Sequence, residues 1–204
     1  MKLCDRSTLS RRSLQVLLLL VVVVFILVSS PTTIIPPASP VAPITIYVTN
    51  YGYHGRLVIP TREGQLLQYA YGDWDYFALN RQNLNQAISA LLIPTSGTLG
   101  RRKYKNLSQL QQTLGSDWQD IILSFEVASS SVLNLKQSLD VRFKQNIATS
   151  VFNPHHGLTF VKDEQNYSLL HNSNHELVSW LEQLDCRVRG FVALPNYHVQ
   201  NFRH

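Results

Sequence analysis

Cysteine is nearly missing from this chain of 204 residues, which has only Cys4 and Cys186. Cys4 precedes a long apolar run and Cys186 stands alone near the far end, so the two do not meet and no intramolecular disulfide holds the fold. Cys4 also leads the apolar stretch, whereas a bacterial lipid-anchor cysteine follows it. Charge is sparse too, at 15% of residues, and the excess of base is uneven. Lys2, Arg6, Arg11 and Arg12 against Asp5 give the first 30 residues +3, which leaves only +2 of the total +5 for everything after them. A folded part so close to neutral lacks the electrostatic footprint of a nucleic-acid binder, and no nucleic-acid partner is expected. The one basic cluster, Arg101, Arg102, Lys103 and Lys105, reads as a solvated loop. No internal repeat is visible, and the length suits one domain.

What the sequence does have is an uncharged run from Ser13 to Val28, SLQVLLLLVVVVFILV. Its densest part, Val16 to Val28, is 13 residues long, inside the range of roughly 7–15 for a signal-peptide core, and with Leu14, Gln15 and the following serines it reaches about 17, the lower end for a membrane span. Proline follows both sets of small residues where cleavage would occur, at Ser29-Ser30-Pro31 and Ala42-Pro43. Proline after the scissile bond is a poor cleavage site, so an uncleaved signal-anchor is expected. The preceding basic residues place the N-terminus in the cytoplasm and the rest outside it. The expected organisation is therefore a cytoplasmic segment over 1–12, a transmembrane anchor over 13–30, a proline-rich tether over 31–43, and an extracytoplasmic domain over 44–204. Five prolines in the 13 residues of PTTIIPPASPVAP make that tether extended and semi-rigid.

Within the domain, Ile44–Thr49 and Tyr53–Ile59 are β-branched and aromatic runs around Asn50-Tyr51-Gly52, a hairpin pattern. Leu66–Tyr71 extends the sheet into an acidic turn, Gly72-Asp73-Trp74-Asp75. Arg81–Leu92 has helical spacing that Pro94 ends. Trp118–Val127 carries a strand core, and Ser129–Ser131 offer N-caps to a helix with Val132, Leu135, Leu139 and Phe143 on one face. The last third reads as short strands over Leu158–Lys162 and Tyr167–Leu170, a helix over Asn174–Leu184, and a strand over Arg187–Leu194. Leu177, Trp180, Leu181 and Leu184 form that helix's buried stripe. The mixture predicts an α+β domain with a largely antiparallel sheet.

Three segments bear on chemistry. They are Asn50-Tyr-Gly-Tyr-His54-Gly-Arg-Leu-Val-Ile-Pro60, Tyr71-Gly-Asp73-Trp-Asp75-Tyr-Phe77, and Asn166-Tyr-Ser-Leu-Leu-His-Asn-Ser173-Asn174-His-Glu176. Here the chain resembles an uncharacterised bacterial family of hypothetical proteins encoded near urease genes, whose segments read S-x-G-W-H-T-x-L-V-L-P, G-W-G-D-x-x-F-Y and Y-S-L-x-x-T-C-N-T-W. The order of an early His and a late Cys at a helix start is similar to that of circularly permuted papain-like proteins, such as the lecithin retinol acyltransferase group and NlpC-type relatives. The resemblance implies a papain-like fold in which His54 is the base, Asp73 the motif's acid and a candidate orienting group, and Ser173 the residue at the nucleophile position. It also implies that the strand carrying His54 lies against the helix beginning at Ser173.

Serine in place of cysteine changes the chemistry, because a hydroxyl is a far weaker acid than a thiol and a helix dipole with an imidazole leaves it un-ionised. Ser173-Asn174-His175-Glu176 also fits a capping box, in which Ser173 accepts from the backbone and Glu176 reaches back to the cap. Cys186 reads as a packing residue. His155, His156, His171, His175 and His198 crowd the last part of the chain, but His171 precedes the helix start and no zinc-protease pattern follows it. No metal and no cofactor is expected. The first expectation is a catalytically degraded papain-like domain, anchored in a membrane, that binds an envelope peptide, glycan or lipid. The alternatives are an active hydrolase or acyltransferase using Ser173 and His54, and a scaffold of a membrane complex.

Overall fold

The computed structural model describes residues 6–52, 54–81, 93–116, 122–192 and 195–200. In chain order its elements are helix α1 (Arg6–Ser29), strands β1 (Thr32–Ile35), β2 (Pro43–Asn50), β3 (Gly55–Pro60) and β4 (Leu66–Asp73), a π-helical turn (Trp74–Ala78), β5 (Thr95–Tyr104), α2 (Leu107–Leu114), β6 (Ile122–Ala128), α3 (Ser129–Gln145), β7 (Val151–Asn153), β8 (Leu158–Tyr167), α4 (Ser173–Gln183), β9 (Arg187–Arg189) and β10 (Tyr197–Val199). Seven strands form one antiparallel sheet in the order β6-β2-β3-β4-β5-β8-β7. The protein is α+β with a large antiparallel sheet.

Side-chain alternation, with both faces of the sheet covered, explains why β3 up to Ile59 and all of β4 are buried. Leu57, Ile59, Leu67, Tyr69 and Tyr71 point to one face and pack against Val132, Leu135, Leu139 and Phe143 of α3 and Leu177, Trp180 and Leu181 of α4. Val58, Leu66 and Tyr104 point to the other face and meet Leu110 of α2. Further along that second face, Ala70 packs with Trp74 and Phe77 of the π-helical turn and with Leu158 and Phe160 of β8. The sheet is thus covered on both sides, and the polar groups left between the two clusters of its second face have little access to water.

Several expectations are corrected. Among the described residues no helix is long and apolar enough to cross a membrane. No transmembrane anchor is shown, and the single-pass localisation with an extracytoplasmic domain does not stand. The proline-rich segment is no free tether either: β1 lies inside it, pairing with β10 in parallel and with β9 antiparallel in a second, three-stranded sheet. Ile34 and Ile35 are buried in the core. Arg101, Arg102 and Lys103 lie within β5 rather than in a loop, and β8 is one strand where two short ones are expected. Residues 82–92 of the expected helix that starts at Arg81 and 118–121 of the expected strand from Trp118 lie outside the described residues.

Candidate functional site

The site begins with the way α4 starts. Asn172 is extended (φ −108°, ψ −175°), and its Oδ1 accepts from the backbone N–H groups of Asn174 (3.0 Å) and His175 (3.2 Å). Asn172 is therefore the cap, a role Asn fills as well as Ser does. The expected capping box is absent, because Glu176 is engaged elsewhere: it accepts from Arg142 Nη1 and from Trp180 Nε1 (2.9 Å), and its other oxygen lies 3.1 Å from His171 Nε2. Relieved of capping, the buried Ser173 hydroxyl lies 2.9 Å from His54 Nδ1.

Gly55 makes this contact possible. Its N–H donates to Asn174 Oδ1 (3.1 Å), and a Cβ there would stand 2.5 Å from Leu177 Cδ2 and 3.0 Å from Tyr197 Cε2. Only glycine lets β3 approach α4 so closely, and His54 is the residue just before it. The imidazole is fixed on another side by the Phe77 ring, edge-on at 4.4 Å between centroids. Burial, then the charges of Arg56 and His156, push the His54 pKa down to about 4, so the ring is neutral at pH 7. A neutral imidazole that accepts from the Ser173 hydroxyl at Nδ1 carries its proton on Nε2.

Asp73 is placed differently from the expectation. Its buried carboxylate accepts from the Tyr76 N–H (2.7 Å), capping the π-helical turn, and from the Thr95 hydroxyl. It makes no hydrogen bond to the His54 ring among the described contacts. Its influence is indirect, since the turn it caps carries Phe77. Asp73 also acts on Tyr167, whose pKa burial and the Asp73 charge raise to about 12 while a side-chain hydrogen bond with Ser173 pulls it the other way. Tyr167 is thus a protonated phenol beside the serine.

Sequence reasoning missed Tyr167, Phe77, Arg56 and Asn172, although all four stand inside the three segments that carry the resemblance. His171 Nε2 also meets Gln165 Oε1 (2.9 Å), and His175 Nδ1 donates to Asn172 Oδ1 (2.9 Å). Among the described residues no group of three or more His, Cys, Asp or Glu is disposed to hold a metal ion. Cys186 is buried, and that burial pushes its thiol up to about 12, far from a reactive thiolate. Compared with known proteins, the chain matches no family model, no curated protein and no solved structure.

Proposed function

We propose that Ser173 and His54 are the nucleophile and base of an acyl-transfer or hydrolytic site, the arrangement that the permuted papain-like resemblance implies. The Ser173 proton passes to His54 Nδ1 as Oγ bonds to the acyl carbon. The bond to the leaving group then breaks, with that proton going to the departing atom, and water or another acceptor repeats the sequence on the acyl-serine. The observation that carries the reading is the 2.9 Å separation of Oγ and Nδ1 together with the use of Asn172, not Ser173, as the cap. A hydroxyl needed only as a cap faces backbone N–H groups, whereas this one faces a neutral imidazole.

A second reading, in which the domain binds a ligand at this pair without turnover, is favoured by a separate observation. An imidazole held near pKa 4, with no carboxylate hydrogen-bonded to it among the described residues, is a weak base at neutral pH. A fluorophosphonate probe, with the labelled residue located by mass spectrometry, separates the two. The first reading expects label on Ser173, none on Ser173→Ala, and a rate lowered about 100-fold or more in His54→Gln. Absence of label on folded wild-type protein sinks the reaction and leaves the binder.

A further inference from the structure

Arg56 is 5% exposed, yet among the described residues no carboxylate pairs with it. The acids that do form ion pairs are engaged elsewhere: Asp75 with Arg81, Asp140 with Arg101 and Lys136, and Asp163 and Glu176 with Arg142. The guanidinium lies over the Tyr51 ring at 3.8 Å, and its Nη1 reaches Gln68 Oε1 only at 3.5 Å, the outer limit of a hydrogen bond. Gln68 already accepts from the Tyr104 hydroxyl (3.2 Å), and its amide faces Thr49 Oγ1 (3.3 Å). The Tyr51 side chain also hydrogen-bonds the guanidinium, but these partners are neutral, and a buried guanidinium keeps its charge, so among the described residues it has no counter-charge.

A second deficit stands beside the first. His156 Nε2 is buried without a hydrogen-bond partner among the described residues. Its ring is 5.3 Å from that of Phe77, which also touches His54. Arg56 is the foremost charge acting on both His54 and His156. Arg56 lies two residues along the chain from His54. The cation without a counter-charge, the unpartnered imidazole nitrogen and the Ser173–His54 pair thus belong to one neighbourhood.

We propose that Arg56, with His156 Nε2–H, binds a carboxylate of the ligand and so selects acyl substrates that carry a free carboxylate near the reacting carbonyl. A carboxylate matches the planar guanidinium fork and supplies the missing counter-charge, and its remaining lone pairs accept from His156. The word substrate rests on the reading of Ser173 and His54 as the reacting pair; the anion site itself does not.

The test uses the full chain, labelled with ¹⁵N, and follows the Arg56 Nε–H and the His54 ring by NMR during titration with sodium acetate or with sodium chloride at equal ionic strength. Acetate is expected to give a saturable shift at both residues and chloride none. The response should persist in Ser173→Ala, and Arg56→Lys, which keeps the charge but lacks the fork, should need about tenfold more acetate. Identical, unsaturable responses to the two salts overturn the proposal, as does an unchanged acetate midpoint in Arg56→Lys. Should Arg56→Lys not fold, the wild-type titration decides alone. Acetate binding without probe labelling of Ser173 overturns the reaction while leaving the anion site. Labelling by carboxylated and uncarboxylated acyl probes at equal rates overturns the selectivity while leaving the reaction.

Discussion

Glu176 accepts from Arg142 Nη1 beneath the first turn of α4, and Arg142 at the same time grips Asp163 through Nε (2.6 Å) and Nη2 (2.9 Å). Both carboxylates are nearly inaccessible to water. This pairing takes the side chain that a capping box would have turned toward the helix start. It is why Asn172 caps alone and Ser173 is left to His54.

The two roles predict unequal costs. Asn172→Ala removes one cap and should lower stability by about 1 kcal/mol, with Asn172→Ser recovering most of it. Glu176→Ala breaks a buried ion pair and strips the Trp180 N–H of its acceptor, so a loss of about 3 kcal/mol is expected. Urea unfolding midpoints of the three variants measure this. Equal costs for Asn172→Ala and Glu176→Ala would restore the capping box.

Stability should fall in acid through His54. Its pKa drops from 6.5 in the unfolded chain to about 4 in the fold, so between those values the unfolded chain binds more protons. The contribution is complete above pH 6.5 and is progressively lost as pH falls through about 4. A shift of that size corresponds to a few kcal/mol in order of magnitude. His156, also held near 4, and His175, lowered by burial and by His171, act in the same direction. The measurement is the difference in unfolding free energy between pH 7 and pH 5, which should shrink in His54→Gln. An unchanged difference means that the ring is not held neutral.

The stripes of α3 and α4 were legible because nothing interrupts their period: Val132, Leu135, Leu139 and Phe143, and Leu177, Trp180, Leu181 and Leu184, are all buried as the spacing requires. Strand β5 was hidden by its charges. Arg101 pairs with Asp140 (3.0 Å) and lies over the Phe143 ring (4.2 Å), so its stem covers apolar surface while its head stays polar, which composition alone reads as loop. Strand β1 was hidden by the prolines around it. At the site, the pairing of His54 with Ser173 came from the resemblance. Two adjacent good caps, Asn172 and Ser173, left the choice between them to backbone geometry. The apolar character of residues 13–28 was plain in the sequence, but apolarity alone did not establish a crossing.

Asp73→Asn tests the role of the acid. If Asp73 oriented the imidazole, its loss would move the pH dependence of Ser173 labelling by changing the His54 pKa. As the cap of the π-helical turn, it should instead cost about 1 kcal/mol of stability and slow labelling at every pH alike, through the looser seat of Phe77 against His54. A displaced pH midpoint with unchanged stability would return Asp73 to the imidazole.

Ser173→Cys asks whether the pocket activates a nucleophile at all. The substitution keeps a small side chain at the first turn of α4, and because Asn172 supplies the cap, the helix should start as before. The thiol would sit where Ser173 Oγ now lies, 2.9 Å from His54 Nδ1 and at the positive end of the helix. Both neighbours favour a thiolate, whereas Cys186 is held near 12 by burial. Iodoacetamide should therefore modify residue 173 faster than Cys186 in folded protein, and the rate should fall at least tenfold when His54→Ala is added. The folded state has to be verified by circular dichroism in each variant, since an unfolded chain exposes both thiols equally. The low pKa of His54 sharpens the expectation: the ring takes a proton from the thiol reluctantly, so the enhancement should be modest at pH 6 and grow toward pH 8. A thiol at 173 that labels no faster than Cys186, or that ignores the loss of His54, means that the contact between the two side chains is structural and that the acyl-transfer reading fails.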